Sequence, residues 1–399
     1  MITVQQTIDI LKQNQPGKKI TDVELMHSLD MVLAQEIIAT TASPPYTNSA
    51  MDGFAVRWQD IQNKIKDNPL ELFVAGESSA GSPFKKPVNK NQAIRISTGA
   101  IVPDDCDTII PIEQCIDEQN KVKILEAGKK HQHIRFAGEE YKAGKKLLEP
   151  GIRIGSAQIA LMASQGINRL KVYKKPEVII MTTGSELVPF DSDVKADQLR
   201  DSNTPMLLAA VLEAGALVKK NVHVKDDPQV TLKTIEEALA NTDIIISSGG
   251  VSMGKHDHVR DMALKAGFNE LFWKVRQKPG KPMFLAKKEQ TLLIALPGNP
   301  VSAYICFKHY VRPLLQSVQG KDFSWPFQKA VVTETIRNTL NRSQLMRVKL
   351  NKTQELATIE VLEKQGSHMS STIAQADGYI ILNEGASLVR GSETIVYLY

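Results

Sequence analysis

Two lysines three residues apart lie in the stretch VRQKPGKPMFL, residues 275–285. Pro279 suits position i+1 of a type II turn, and Gly280 supplies the positive φ that position i+2 requires. Lys278 and Lys281 are then the first and last residues of the turn, with Cα atoms within about 7 Å. Their ammonium groups repel by about 1 kcal/mol at 4 Å in water, and an anion between them reverses the sign. The pair predicts an anion site, although the stretch taken alone favours a solvated turn.

A glycine-rich stretch, GGVSMGKH at residues 249–256, stands between a predicted strand and a predicted helix. It fits the G-x-x-x-x-G-K part of the nucleotide-binding P-loop, but His256 replaces the serine or threonine that holds Mg²⁺ there. This disfavours an NTPase and leaves a nest of backbone N–H groups for phosphate. The candidate substrate-binding residues of this stretch are Ser247, Gly249, Gly250 and Ser252.

Acidic residues stand next to the predicted strand ends. Glu186 follows one strand, Asp201 opens a helix, Asp257 follows the glycine-rich stretch and Asp227 precedes Pro228 at another helix start. For Asp201 and Asp227, helix capping is the simpler role. Several carboxylates meeting at one sheet edge would form an oxygen-rich site suited to Mg²⁺. Glu186, Asp201 and Asp257 are therefore the candidate metal ligands.

Alternating strand and helix patterns over residues 177–318 position these groups. The predicted strands are EVIIMTTG, LVKKNVHV, DIIISSGG and TLLIAL, and helices follow each of them, the first capped by Asp201 or Ser202. Such apolar strands predict a parallel sheet covered on both faces. Ligands bind beyond the carboxyl ends of the strands in such sheets. Here those ends carry TTGSE (182–186), SSGGVSMGKHD (247–257) and LPGNP (296–300), with KPGKP between the last two.

The flanking regions predict further domains, so the fold class is multidomain α/β. Short alternating runs with many turn signals predict an inserted β-rich domain over 49–138. A discontinuous N-terminal mixed domain is predicted from residues 1–48 and 139–172, with the first helix packed against the helical pattern of 139–172. The α/β domain is then predicted over residues 173–325, and a C-terminal β domain over residues 326–399.

The composition is that of an ordinary globular protein, with 399 residues, 42% hydrophobic and 23% charged. The net charge of +5 is too diffuse to indicate nucleic acid. Three cysteines without metal-binding spacing fit a reducing compartment. The N-terminus lacks a signal-peptide pattern, and the most apolar run is broken by Pro-Gly-Asn-Pro. We expect a cytoplasmic protein that binds neither nucleic acid nor membrane.

Nine motifs occur in one order: NSAMDGFAV, STGAIVP, RFAGEEYKAG, VIIMTTGSELV, DSNTPMLLAAVLEAGA, SSGGVSMGKHDHV, KPGKP, LPGNPVSA and QGSHMSS. Together they resemble the MoeA-like molybdopterin molybdenumtransferases, the family that includes the gephyrin E domain. The likeness covers nearly the whole chain, and NSAMDG, KPGKP and LPGNPVSA together are highly specific for this family. It implies an elongated four-domain subunit that forms a homodimer, with the active site in a cleft shared between subunits.

The resemblance also implies a reaction. The substrates are adenylated molybdopterin and molybdate; a step dependent on a divalent metal, Mg²⁺, releases AMP and leaves molybdenum on the two dithiolene sulfurs. Transient contacts with a molybdopterin adenylyltransferase and with downstream cofactor-handling proteins are expected. Two alternatives are a molybdopterin adenylyltransferase and a non-catalytic pterin-binding scaffold.

Site residues follow from the resemblance, motif by motif. Those with catalytic roles are Asp52, Thr98, Glu186, Asp227 and Asp257, with Asp52 positioning water or the metal. Those of the molybdate site are Lys274, Lys278, Lys281, Arg347, Ser367 and Ser371. Those of the substrate site include Pro297, Gly298, Asn299, Pro300 and Glu140. Two positions depart from the family pattern, because Ser185 and Glu140 stand where an acid and an aspartate are usual.

Overall fold

A computed structural model describes residues 1–63, 69–240, 242–251, 258–351 and 356–399. The chain divides into two compact units. The first consists of Met1–Ala34, Gly151–Gly155 and Arg169–Tyr399, and the second of Gln35–Pro150 and Ser156–Asn168.

The α/β domain of the first unit has a six-stranded sheet. Its strands run in the order Leu217–Val224, Glu177–Thr183, Ile244–Ser248, Thr291–Leu296, Phe284–Lys288 and Asn269–Trp273. The first four pair in parallel, as predicted. The last two pair antiparallel, so the sheet is mixed, and the sequence prediction missed both of these strands.

Helices cover both faces of this sheet. They are Asn203–Glu213, Pro228–Leu239, Val259–Lys265 and Pro300–Cys306, the last continuing through the π-helical turn Phe307–Val311 into Arg312–Val318. Neighbouring side chains on a strand point to opposite faces. Ile180 therefore packs with Leu207 in one core cluster, and Ile179 packs with Ile235 in the other.

The N-terminal helix Val4–Asn14 belongs to this α/β core. Thr3 and Gln6 form a capping box at its start. Its buried face, Val4, Ile8 and Leu11, joins the core cluster that contains Ile180. The expected packing against the helical pattern of 139–172 is therefore wrong, because spacing at i, i+4 and i+7 makes an apolar stripe but does not identify its partner.

The chain nevertheless returns to its N-terminal segment after the insertion. Strand Ile20–Glu24 pairs antiparallel with Arg169–Tyr173 in the first unit. In the second unit, Ile37–Ile38 pairs with Lys146–Leu148, and the helix of the 139–172 region is Ser156–Ser164.

The second unit contains the predicted β-rich region. Its six-stranded sheet has the order Thr108–Pro111, Gly53–Val56, Gln92–Ile96, Leu70–Ser78, Lys121–Ile124 and Cys115–Asp117. The short strands Asn48–Ser49 and Ile134–Arg135 pair beside it. A short helix, Trp58–Ile61, follows the strand Gly53–Val56.

A third six-stranded sheet forms the C-terminal domain. Five of its strands are Phe327–Val332, Ser343–Asn351, Thr358–Val361, Gly378–Leu382 and Glu393–Leu398. The sixth is Gln277–Lys278, which pairs in parallel with Ser343 and Gln344. Ile336–Arg337 pairs with Ser387–Leu388, and Ser371–Gln375 is a short helix. The bend that follows Gln277 is thus attached to two domains. Among the described residues, no helix is long and apolar enough to cross a membrane.

Candidate active site

A cavity of about 830 Å³ lies at the carboxyl ends of the parallel strands, where the sequence predicted a ligand site. We call it the strand-end cavity. The predicted site residues on its wall are Glu186, Asp201, Gly249, Gly250, Pro297, Gly298, Asn299 and Pro300.

A smaller cavity of about 240 Å³ lies at residues 278–281 and is called the bend cavity. Lys278, Lys281 and Ser367 line it, as the molybdate-site prediction requires. Pro282, Pro297 and Asn299 line both cavities, so the two adjoin. The structure therefore brings the lysine pair next to the strand ends.

The bend has a positive φ of 88° at Gly280, as predicted, and its Lys278–Pro279 peptide is cis, which the sequence did not reveal. A Cβ on Gly280 would lie 2.3 Å from the Sγ of Cys306 and 2.8 Å from the Nε2 of Gln277. Only glycine fits between these buried groups and the turn.

Arg342 supplies a third cation to the wall of the bend cavity. Its Nε is buried and has no hydrogen-bond partner within the described residues. The sequence analysis did not select Arg342, although it lies just before the strand that carries the predicted Arg347.

Arg347 itself does not line the bend cavity as the described residues define it, which corrects its predicted position. Its side chain is fully buried, and burial lowers its pKa. Its Nη2 donates to the carbonyl oxygens of Lys364 at 3.0 Å and Gly366 at 3.3 Å. Nε and Nη1 have no partner in the described parts of the chain. Arg347 thus supports the segment that carries Gln365 and Ser367, two residues of the cavity wall.

The remaining members of the predicted molybdate site lie elsewhere. Ser371 is exposed and begins the helix Ser371–Gln375. The ammonium of Lys274 lies 3.7 Å from the ring centroid of Trp273. Within the described residues, neither belongs to the wall of either cavity.

The acidic residues separate into helix caps and cavity residues. Asp227 caps the helix Pro228–Leu239, accepting from the N–H groups of Gln229 and Val230. Its neighbour Asp226 lines the strand-end cavity instead and was missed by the sequence analysis. Asp226 accepts from the N–H of Ser185 at 2.9 Å, and its own N–H donates to the Ser185 hydroxyl at 3.2 Å. Ser185, the departure from the family pattern, therefore anchors Asp226.

Asp201 combines both roles. Its Oδ1 accepts from the N–H of Thr204 at 3.0 Å, and its Oδ2 accepts from the Thr204 hydroxyl at 2.5 Å and the Thr182 hydroxyl at 3.2 Å. These bonds fix the carboxylate at the start of the helix Asn203–Glu213 while it borders the cavity.

The described residues contain no group of three His, Cys, Asp or Glu side chains that could hold a metal ion. Asp257, a predicted metal ligand, and Ser252, a predicted substrate contact, lie outside the described residues. Glu186, Asp201 and Asp226 all reach the strand-end cavity, and carboxylate oxygens are the donors that Mg²⁺ prefers. Each of these carboxylates is a suitable single ligand for Mg²⁺, although in the described residues they do not meet as one three-residue metal group.

Two glycines form a closely packed part of the same wall. Gly249 and Gly250 have φ of 90° and 68°. A Cβ on Gly249 would lie 2.7 Å from the Oγ1 and 2.8 Å from the carbonyl oxygen of Thr183. Asn203 joins the neighbouring loops, because its Nδ2 donates to the hydroxyl of Ser248 and the carbonyl of Gly298. Ser247 is buried beneath this wall.

In the second unit, Asp52 and Thr98 contact each other. The Asp52 carboxylate accepts from the Thr98 N–H at 2.6 Å and from its hydroxyl at 3.0 Å. The N–H, and then the hydroxyl, lower the pKa of Asp52. Glu140, in the same unit, accepts from the Ser43 hydroxyl at 2.7 Å.

Comparison with known proteins places this geometry in a family. Residues 2–166 match the MoeA N-terminal region (domain I and II), 179–317 match a "Probable molybdopterin binding domain", and 329–399 match the MoeA C-terminal region (domain IV). The molybdopterin molybdenumtransferase of Staphylococcus epidermidis is 33% identical over 386 residues, covering 96% of this chain and 92% of the relative. This chain belongs to the molybdopterin molybdenumtransferase family.

Further similarities extend along the whole chain. The molybdopterin molybdenumtransferase of Haemophilus influenzae is 32% identical over 409 residues, 99% of this chain and 98% of its own length. The crystal structure of the molybdopterin biosynthesis MoeA protein from Pyrococcus horikoshii superposes with a TM-score of 0.84 at 26% identity, covering all of both chains. The predicted family and multidomain fold are confirmed.

Several residues of this candidate site were missed although they lie inside or beside recognised motifs. Ser302 belongs to LPGNPVSA, Gln365 begins QGSHMSS, and Asp226 directly precedes the capping Asp227. Their place in or beside a motif was the available signal, but roles were carried over only to some of the motif positions.

Proposed function

We propose that this enzyme transfers molybdenum from molybdate to the dithiolene of adenylated molybdopterin and releases AMP in a step that depends on Mg²⁺. The observation that carries the proposal is the contact between the two cavities through Pro282, Pro297 and Asn299. One cavity has the carboxylates and glycines that suit a phosphorylated ligand, and the other has the cations that suit an oxyanion. An activated pterin and molybdate held side by side are what metal insertion requires.

Molybdate is a tetrahedral dianion, and the bend cavity offers charge-assisted donors for it. The ammonium groups of Lys278 and Lys281 and the guanidinium of Arg342 balance its charge, while the Ser367 hydroxyl donates to an oxygen. The crowding of two lysines at the bend is thereby explained. Capture of the metal by the dithiolene is proposed to select molybdate over sulfate, which has the same charge and shape.

The strand-end cavity is proposed to hold the adenylated pterin. Its volume of about 830 Å³ falls within the range of ligand pockets. The backbone N–H of Gly250 is proposed to bind a phosphate, whereas the N–H of Gly249 donates to the carbonyl oxygen of Leu296 at 3.1 Å. A carboxylate of Glu186, Asp201 or Asp226 would contribute an oxygen ligand to Mg²⁺, which supplies charge neutralisation to the phosphoanhydride when bound. Asp52, held as a carboxylate by Thr98, is proposed to position water or the metal.

The chemistry of the substrate implies other participants. Adenylated molybdopterin must come from an adenylyl transfer, so we propose transient contact with a molybdopterin adenylyltransferase and delivery of the product to downstream cofactor-handling proteins. A homodimer and a cytoplasmic location complete the proposal.

Release of AMP from supplied adenylated molybdopterin, measured with and without molybdate and Mg²⁺, tests this function. We expect AMP and a molybdenum-bound pterin only when all components are present. Consumption of ATP with unadenylated molybdopterin would instead indicate an adenylyltransferase. Binding without turnover would indicate a scaffold.

A further inference from the structure

A buried glutamine precedes the bend and belongs, like the two lysines, to the wall of the bend cavity. Gln277 is fully buried, and its Oε1 accepts a hydrogen bond from the hydroxyl of Tyr310. Its Nε2 donates to the carbonyl oxygen of Gly280 at 3.2 Å and lies 3.3 Å from the Sγ of Cys306. Both ends of this amide therefore have partners, although the surrounding core is apolar.

Tyr310 determines which way the amide of Gln277 faces. The ring of Tyr310 is fully buried, and burial raises its pKa well above the ordinary value, so the phenol keeps its proton. In its hydrogen bond with Gln277 this phenol donates to the oxygen end of the amide, and the NH₂ end of Gln277 faces Gly280.

The orientation of Gln277 is transmitted to the main chain of the bend. The Gly280–Lys281 peptide is trans, since the cis bonds in the described chain are Ser43–Pro44 and Lys278–Pro279. In a planar trans peptide the carbonyl and the N–H point in opposite directions. With the Gly280 carbonyl turned toward Gln277, the N–H of Lys281 points away from it, and Lys281 lines the bend cavity. In the described part of the chain, this N–H donates to no protein acceptor.

We propose that Gln277, oriented by Tyr310, is a positioning residue that presents the main-chain N–H of Lys281 to the oxyanion in the bend cavity. The proposal rests on the proposed function and deepens its anion site. It adds to the flexible ammonium groups one donor whose direction is fixed by the core. A donor that is already oriented loses no conformational freedom when the anion binds.

An apolar side chain at position 277 would not serve this role. It would fill the same space but remove the amide partner of the Gly280 carbonyl, which would keep only the weak thiol donor of Cys306 at 3.9 Å, and it would remove the Gln277 acceptor of the Tyr310 hydroxyl. Rotation of the Gly280–Lys281 peptide toward a better donor would then turn the Lys281 N–H away from the anion.

Titration of the full-length protein with sodium molybdate, followed by calorimetry, tests the proposal. Gln277→Leu and Tyr310→Phe should each weaken molybdate binding about tenfold, the scale of one oriented hydrogen bond to a charged ligand. The affinity for adenylated molybdopterin should stay unchanged. The double variant should bind molybdate no more weakly than Gln277→Leu alone, because Tyr310 acts through Gln277.

Tyr379→Phe provides the matched control. Tyr379 is also fully buried, and its hydroxyl contacts the Nδ1 of His309 at 2.9 Å rather than the amide of Gln277. It should lower thermal stability as Tyr310→Phe does, yet bind molybdate like the wild type. If Gln277→Leu does not fold, Tyr310→Phe decides.

Two results overturn the positioning role: wild-type molybdate affinity in Tyr310→Phe, or an equal loss in Tyr379→Phe. If the wild type itself neither binds molybdate nor releases AMP, the proposed function fails and the positioning role fails with it. An active wild type with unaffected variants contradicts the positioning role alone.

Discussion

The side-chain amide of Asn299 donates to the hydroxyl of Ser367 across 3.4 Å, at the border between the strand-end cavity and the bend cavity. Asn299 lines both cavities, whereas Ser367 lines the bend cavity and its neighbour His368 lines the strand-end cavity. A loop of the α/β domain and a segment of the C-terminal domain therefore meet where the two proposed substrates must meet.

Ser367→Ala should raise the KM for molybdate about tenfold, because a hydroxyl donor to the oxyanion is lost. The KM for adenylated molybdopterin should change little. Ser371→Ala is the matched control, since Ser371 is exposed and lies on the following helix. Steady-state AMP release measures both; a larger molybdate effect from Ser371 would restore the original prediction for that residue.

Arg342→Gln and Arg347→Gln should produce different defects. Loss of the Arg342 cation should weaken molybdate binding at least tenfold without changing the unfolding midpoint. Loss of Arg347, which supports the carbonyls of Lys364 and Gly366, should destabilise the protein by about 2–4 kcal/mol and also weaken molybdate binding.

Urea unfolding and calorimetry with molybdate separate these two arginine variants. Nucleotide binding should persist in both, because neither arginine lines the strand-end cavity in the described residues. Equal loss of molybdate and nucleotide binding in Arg347→Gln would contradict its role as the support of the Gln365 and Ser367 wall of the bend cavity.

The arginine pair shows what the sequence could predict. The strand–helix alternation and the three loops at strand ends followed from hydrophobic period and turn residues, and the described parts of these loops line the strand-end cavity. Arg342 and Arg347 are five positions apart, so a strand through both turns them to opposite faces. Residue type alone does not tell that Arg347 is the buried one, with its guanidinium donating to the carbonyls of Lys364 and Gly366.

A similar limit applies to the helix Val4–Asn14 and to Asp226. The periodicity identified the apolar face of the helix. It could not show whether this face packs against the α/β core or against the helical pattern of 139–172. Adjacent acids at the start of Pro228–Leu239 gave two equivalent candidates. Which of them caps the helix depends on the direction from which the chain enters it, and only coordinates supply that direction.

Asp226→Asn and Asp227→Ala should therefore separate a metal effect from a stability effect. Asp226→Asn should raise the Mg²⁺ concentration needed for half-maximal AMP release, because the cavity loses one carboxylate. Asp227→Ala should cost about 1 kcal/mol of stability through loss of the helix cap, with unchanged Mg²⁺ activation. Mg²⁺ titration of activity and urea unfolding measure the two effects. If Asp227→Ala instead changes the Mg²⁺ requirement and Asp226→Asn only lowers stability, Asp227 is the catalytic residue, as the sequence analysis predicted.

Gly249→Ala should raise the KM for adenylated molybdopterin and destabilise the protein by more than backbone strain alone. The added Cβ would meet the carbonyl oxygen of Thr183 at 2.8 Å. Gly144→Ala is the control, because Gly144 has a similar φ of 86° and no heavy atom within 4 Å of an added Cβ. We expect about 1–2 kcal/mol of strain in the control and a larger loss in Gly249→Ala. If the two variants lose similar stability and Gly249→Ala leaves the KM unchanged, Gly249 does not contact the substrate.

Thr98→Val should raise the pKa of Asp52 toward its ordinary value. The rise should be partial, because the Thr98 N–H remains and makes the larger contribution to the lowered pKa. The stabilisation from this contact is present above the pKa of Asp52 in the unfolded chain. It is lost as the pH falls through the lower pKa of the folded chain.

The acidic limb of the pH profile of AMP release should accordingly move to higher pH in Thr98→Val, if ionised Asp52 is the form required for turnover. Asp52→Asn should bind adenylated molybdopterin and release little AMP at any pH. Carbon-detected NMR of the carboxyl gives the pKa directly. A shifted pKa with an unmoved acidic limb would show that Asp52 does not act in turnover as a carboxylate.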